Sequence, residues 1–155
     1  NIELSRSFEN TNQQTAVEWS MLLSQKQDGL KICLKSGDTE VISVTTSDGN
    51  ICTGGQIVKQ NYKENLWHKF QMKIDAVAKT YDLKINYKTV AENVSYNGCI
   101  VNAISFSKDS TATGSVILDD ISVCKSFEKY ADYTISEEGI DLEETIDKVL
   151  ELFEK

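Results

Sequence analysis

The stretch from Leu66 to Val90, LWHKFQMKIDAVAKTYDLKINYKTV, constrains the fold more than any other part of this chain. Phe70, Met72 and Ile74 alternate with Lys69, Gln71, Lys73 and Asp75. After a break at residues 76–79, Tyr81, Leu83 and Ile85 alternate with Asp82, Lys84 and Asn86. Period-two alternation sends one set of side chains to a buried sheet face and the other set to solvent. The spacing predicts a hairpin in an antiparallel sheet with one wet face, and hence a β-sandwich.

The rest of the first 127 residues reads in the same way. Opening strands are expected near residues 2–8 and 17–24, the second with Val17, Trp19, Met21 and Leu23 on one face. A meander follows at 30–35, 41–46 and 51–53, its turns marked by Ser36-Gly37-Asp38 and Ser47-Asp48-Gly49-Asn50. Gly54-Gly55 breaks the pattern before a short strand at 56–60, and 61–65 is a polar loop. A strand at 90–94 and a closing hairpin, built from 100–107 and 116–123, complete the set. Many short strands with turn signals at this spacing predict an all-β sandwich or jelly roll.

Residues 128–155 differ. Asp141-Leu142-Glu143-Glu144 reads as a capping box, and Leu142, Ile146, Val149, Leu150 and Phe153 then recur at helical spacing. One amphipathic C-terminal α-helix is expected over about 142–154. Its apolar stripe needs a partner: the sandwich, a second copy or a neighbouring domain. The division expected is therefore a β-sandwich domain, 1–127, and an acidic linker with its helix, 128–155.

Charge follows the same division. Residues 1–127 carry 14 acidic and 13 basic groups, and residues 128–155 carry 10 and 3. Neither part has the basic patch of a nucleic-acid binder. No run of about 18 apolar residues offers a membrane span, and no basic-then-apolar segment opens the chain. The chain starts at Asn1 without Met, as a mature form or an excised piece would, so the missing signal says nothing about secretion. With no proline in the sequence, no polyproline linker separates modules.

The cysteines, Cys33, Cys52, Cys99 and Cys124, form no CxxC pair, and His68 is the only histidine that could join them around zinc. Folding residues 100–123 about their centre would set Cys99 opposite Cys124. Cross-strand Cα atoms about 4.5 Å apart can accept a disulfide. Two readings stand: that bridge, or four buried thiols acting as small apolar residues. Cys33 and Cys52 sit on strands expected to flank a third, which disfavours a bridge between them.

Three stretches together carry a resemblance. They are Trp67-His68-Lys69-Phe70, then Lys79-Thr80-Tyr81-Asp82-Leu83-Lys84-Ile85-Asn86 with Val90-Ala91-Glu92-Asn93, and finally Gly114-Ser115-Val116-Ile117-Leu118-Asp119-Asp120-Ile121-Ser122-Val123. Over about residues 1–125 the chain resembles concanavalin A-like, laminin G-like jelly rolls, which read "T-Y-D-V-Y-V-D-G-K", "V-A-E-N" and "Y-I-D-D-I-x-V" at these places. Many such domains are carbohydrate-binding modules of secreted bacterial glycoside hydrolases and polysaccharide lyases; others are adhesion or spacer domains. The resemblance implies a non-catalytic module that holds a secreted or surface protein of several domains on a polysaccharide. The alternative is a structural or protein-interaction domain whose helix docks a neighbouring domain. Fold alone does not decide between them.

Candidate site residues follow from what sugars need: aromatic rings against their apolar faces and a few placed polar groups. Tyr62, Tyr87 and Tyr96 fall near expected loops, with Asn86 and Asn97 as polar partners; Trp19 and Trp67 fit core positions. The family's Asp-Gly or Asn-Gly turn is replaced here by Asn86-Tyr87. Tyrosine adopts positive φ poorly, so a longer or different turn is expected, one that turns Tyr87 outward. Adjacent Asp119 and Asp120 should face opposite ways, one toward an apolar face where a carboxylate needs a partner. That partner is loop backbone or a structural calcium, which some relatives hold. No other cofactor is expected.

A third reading, a divergent glycosidase or lyase, finds little support in the residues. No nucleophile elbow accompanies His68. The Glu-x-Asp-x-x-Glu run of glucanases on this scaffold is missing, and Glu18 and Glu92 stand isolated. Asn93-Val94-Ser95 matches a glycosylation sequon, a pattern short enough to arise by chance.

Overall fold

A computed structural model describes residues 2–26, 28–109 and 114–124. The expected C-terminal helix lies outside them. The described residues form an all-β sandwich of eleven strands in two antiparallel sheets. The strands are β1 (Ile2–Ser7), β2 (Gln14–Leu23), β3 (Leu30–Ser36), β4 (Thr39–Ser47), β5 (Asn50–Thr53), β6 (Gln56–Lys59), β7 (Trp67–Asp75), β8 (Thr80–Ile85), β9 (Lys88–Ser95), β10 (Ala103–Lys108) and β11 (Val116–Cys124). One sheet runs β1-β10-β3-β4-β5-β6 and the other β11-β2-β7-β8-β9.

The alternation read in the sequence sets the inner faces. His68, Phe70, Met72 and Ile74 of β7 are buried, and so are Tyr81, Leu83 and Ile85 of β8. They meet Val17, Trp19, Met21 and Leu23 of β2 and, from the facing sheet, Ile32, Leu34, Ile42, Val44, Ile104 and Phe106. Trp19 spans the layers. Its ring stacks on Phe70 at 5.0 Å between centroids and meets Phe106 edge-on at 6.4 Å. Such pairs add about 0.5–1.5 kcal/mol to the area they bury.

The flank formed by β6 and β9 is closed tightly. Gly54, in the β5–β6 turn with φ +56°, brings its backbone so close that an added Cβ would lie 2.5 Å from Val94 Cγ1. Only glycine meets both demands at this position.

Four sequence expectations are corrected. First, residues 100–107 and 116–123 do not form a hairpin. β10 pairs with β1 and β3 in one sheet, while β11 pairs with β2 in the other. No Cys99–Cys124 disulfide forms, because Cys124 opposes Ala16 and Cys99 lies in the loop after β9; both side chains are exposed. Second, Asp119 and Asp120 do not straddle the sheet. A bulge interrupts the register between Asp119 and Ser122, Asp120 takes φ 52°, and both carboxylates are exposed. The Asp120 N–H donates to Asp119 Oδ1 at 2.8 Å, and Ser20 Oγ lies 3.5 Å from Asp120 Oδ2. Among the described residues, no group of three or more His, Cys, Asp or Glu side chains converges.

Third, Asn86 and Tyr87 do form a two-residue turn between the paired Ile85 and Lys88, with φ 51° and 66°. The hairpin geometry thus overrides tyrosine's reluctance, and Tyr87 still points outward, 45% exposed. Fourth, Tyr62 is not a loop ring open to a ligand. It is fully buried, edge-on to His68 at 6.1 Å, with its N–H donating to the Gly49 carbonyl at 3.1 Å.

His68 makes the core sensitive to acid. Its Nε2 is 2.9 Å from the Lys63 carbonyl, while Nδ1 is buried without a hydrogen-bond partner. Burial is the main cause of a pKa held below the usual histidine value, with the charge of nearby Lys59 adding to it and the Lys63 carbonyl opposing. A depressed folded pKa leaves stability intact above about pH 6.5 and removes it as pH falls through the folded value. The unfolding free energy from urea titrations should therefore drop between pH 7 and pH 5, with a contribution from His68 no steeper than about 1.4 kcal/mol per pH unit. His68→Gln should flatten that dependence.

Candidate functional site

The outer face of the five-stranded sheet holds the arrangement best suited to a ligand. Inward burial of Phe70, Met72 and Ile74 forces Trp67, Lys69, Gln71 and Lys73 outward on β7. Register then extends each position into a row across the sheet. Ile117, Leu22 and Trp67 share one row, and Asp119, Ser20 and Lys69 the next. Ser122, Glu18, Gln71, Lys84 and Thr89 form the third. Successive rows are about 6.7 Å apart along the strands.

Trp67 is 47% exposed, and Ile117 and Leu66 are exposed beside it. Among the described residues, Trp67 and Tyr87 are the aromatics that stand well out into solvent. They belong to the same end of the sheet. Asn86 binds the turn to β7 from both sides: its N–H donates to the Lys69 carbonyl and its Oδ1 accepts from the Lys69 N–H, each at 2.8 Å. The turn carrying Tyr87 is thus fixed against β7 at Lys69, two residues along the strand from Trp67.

The polar rows are held in place. Glu18 accepts from Gln71 Nε2 at 2.6 Å and pairs with Lys69 Nζ at 3.3 Å. Both Glu18 oxygens are engaged, and the carboxylate is mostly covered. Acidic Glu18, Asp82 and Asp119 are interspersed with basic Lys69, Lys73 and Lys84, so the face has no single sign.

Other expected site residues lie elsewhere. Tyr96 and Asn97 follow β9, and the Tyr96 N–H donates to the Lys79 carbonyl, which places them by the β7–β8 turn. That is the far end of β7 from Trp67, about 27 Å along the strand. Tyr96 is half-buried against Tyr81, and its hydroxyl donates to the Cys99 carbonyl at 3.2 Å. Burial, then the neighbouring Cys99 and Asp75, push its pKa up to about 12. Asn97 Oδ1 accepts from the Cys99 N–H at 3.1 Å, which is turn chemistry.

The outer face of the six-stranded sheet is closed by contrast. Glu3 pairs with Lys35 at 2.8 Å and Lys31 with Glu40 at 2.5 Å. Between the pairs Cys33 and Ser105 are buried although they face outward, and burial pushes the Cys33 thiol up to about 11.

Sequence reasoning missed Trp67. The signal was present in the β7 alternation itself: if Phe70, Met72 and Ile74 face inward, residue 67 cannot.

No family model matches the chain, and no curated protein matches it in sequence. Solved structures do match in fold. A sialidase aligns with TM-score 0.64 at 12% identity over 83% of this chain, which spans only 14% of the sialidase. A Caenorhabditis elegans galectin aligns with TM-score 0.56 at 14% identity, over 80% of this chain and 91% of its own. A variant of human galectin-16 aligns with TM-score 0.53 at 14% identity, over 81% and 95%. The fold is therefore the concanavalin A-like jelly roll expected from the sequence.

Proposed function

We propose that this domain is a non-catalytic carbohydrate-binding module that holds a secreted or surface protein of several domains on a polysaccharide. The observation that carries the reading is Trp67, a large ring left exposed on a sheet face, with polar groups one and two rows away and the turn of Tyr87 tied to β7 at Lys69. A buried aromatic stabilises a core; one left wet beside oriented amides and charges suits the apolar face of a sugar ring. The shared fold with galectins supports the same reading. Mixed charge on the face favours a neutral polymer over a polyanion.

The test is affinity electrophoresis of the whole chain against a panel of neutral and anionic polysaccharides, with and without EDTA. Retardation by a neutral class is expected, weakened by Tyr87→Ala. Retardation that disappears with EDTA would assign a calcium, with Asp119 and Asp120 the first residues to test. No retardation across the panel would sink the reading and favour a structural or protein-interaction domain.

A further inference from the structure

The flank opposite the β6–β9 closure is open. β1 ends one sheet and β11 ends the other. Between them lies a cleft of about 710 Å³ whose lining includes Leu4, Phe8, Ile104, Phe106, Ile121 and Val123, with Arg6 among them. Leu4 opposes Phe106 and Arg6 opposes Ile104, so these β1 side chains continue the inner face of β10. Yet Ile2 is 76% and Leu4 59% exposed, and on β11 Ile121 is 42% and Val123 36% exposed. Contiguous apolar side chains on a core-facing layer, left wet, mark a docking surface.

We propose that this cleft seats the chain's own residues 142–153 as an amphipathic helix. The chain leaves β11 at Cys124, one residue past the cleft-lining Val123, so the following segment starts at the cleft. The intervening residues 125–141 can span roughly 55 Å when extended, so every part of the cleft is within reach. Lengths agree as well: a twelve-residue helix is about 18 Å long, and β1 with its six residues runs about 20 Å. The stripe Leu142, Ile146, Val149, Leu150 and Phe153 supplies apolar side chains to cover those that line the cleft. A helix this short is marginal alone in water and needs such burial. The charges also fit, since residues 128–155 carry 10 acidic groups against 3 basic ones and the cleft presents Arg6.

Amide hydrogen exchange on the whole chain, at a concentration where it sediments as a monomer, tests this. Amides of residues 142–153 should exchange at least tenfold more slowly than coil, and Leu4→Asp or Ile121→Asp should restore coil rates while β7 and β8 stay protected. Conversely, Leu150→Asp should speed exchange in β1 and β11 and raise binding of an apolar dye. Because Leu4 and Ile121 are exposed and Leu150 is not among the core residues of the sheets, a failure of one variant to fold leaves the others to decide. Coil rates in the unmodified chain would overturn the proposal. So would protection that survives both cleft substitutions, or protection that appears only as the chain dimerises, which would give the cleft to a second copy.

Discussion

Trp67→Ala is expected to abolish polysaccharide retention while the domain stays folded. The ring is nearly half exposed and lies outside the core, so its loss should change stability by less than about 1 kcal/mol. If it is the main aromatic anchor of the face, truncation should weaken binding at least tenfold, about 1.4 kcal/mol or more. Electrophoretic retardation and a urea midpoint on the same preparation separate the two effects. Retention unchanged by Trp67→Ala would remove this face as the binding site. A large fall in the urea midpoint would instead make Trp67 a structural residue, as the sequence alone suggested.

Trp19→Ala should give the opposite pattern, with severe destabilisation at about 3–5 kcal/mol. Trp19 is fully buried, stacks on Phe70 of its own sheet and meets Phe106 of the other. Removing it opens a cavity at the junction of both layers. Domains of this size have about 5–15 kcal/mol in all, so a large share of the margin disappears. Trp19→Phe should be much milder. It keeps most of the stacking and deletes Nε1, a buried donor without a hydrogen-bond partner. An unsatisfied donor of this kind costs about 1–3 kcal/mol, which offsets part of the lost volume. Denaturant titration of the two variants checks the contrast; equal destabilisation would show that neither the retained ring packing nor the loss of the orphan nitrogen offsets the change.

The strands were legible because alternation is local. In β7 and β8 each residue declares its face through its neighbours two positions away, and the structure follows that pattern along both strands. Pairing was less legible. Adjacency in sequence suggests that β10 and β11 are hairpin partners, but a sandwich buries both inner faces by switching sheets between them. The same error produced the Cys99–Cys124 bridge. Tyr62 was misplaced for another reason: polar neighbours mark a loop, but they do not reveal that the loop folds its one large ring inward against His68. The Asp119–Asp120 pair hid a bulge, which shifts facing by one residue and breaks the simple alternation. Trp67 shows the limit of residue type as a guide, since tryptophan suggests burial while its position in the alternation dictates exposure.

The sheet order also has a temporal consequence. β3 to β6 and β7 to β9 are meanders whose partners are close in sequence. β1 must find β10, pairing Ile2 with Lys108, and β11 must find β2, pairing Val116 with Leu23. Loop-closure entropy delays such pairings, so these two strands should join last, in folding that takes milliseconds to seconds. Until they arrive, β10 and β2 present bare edges carrying Ile104, Phe106, Val17 and Trp19, the segments through which unfinished copies of the chain would stick to one another.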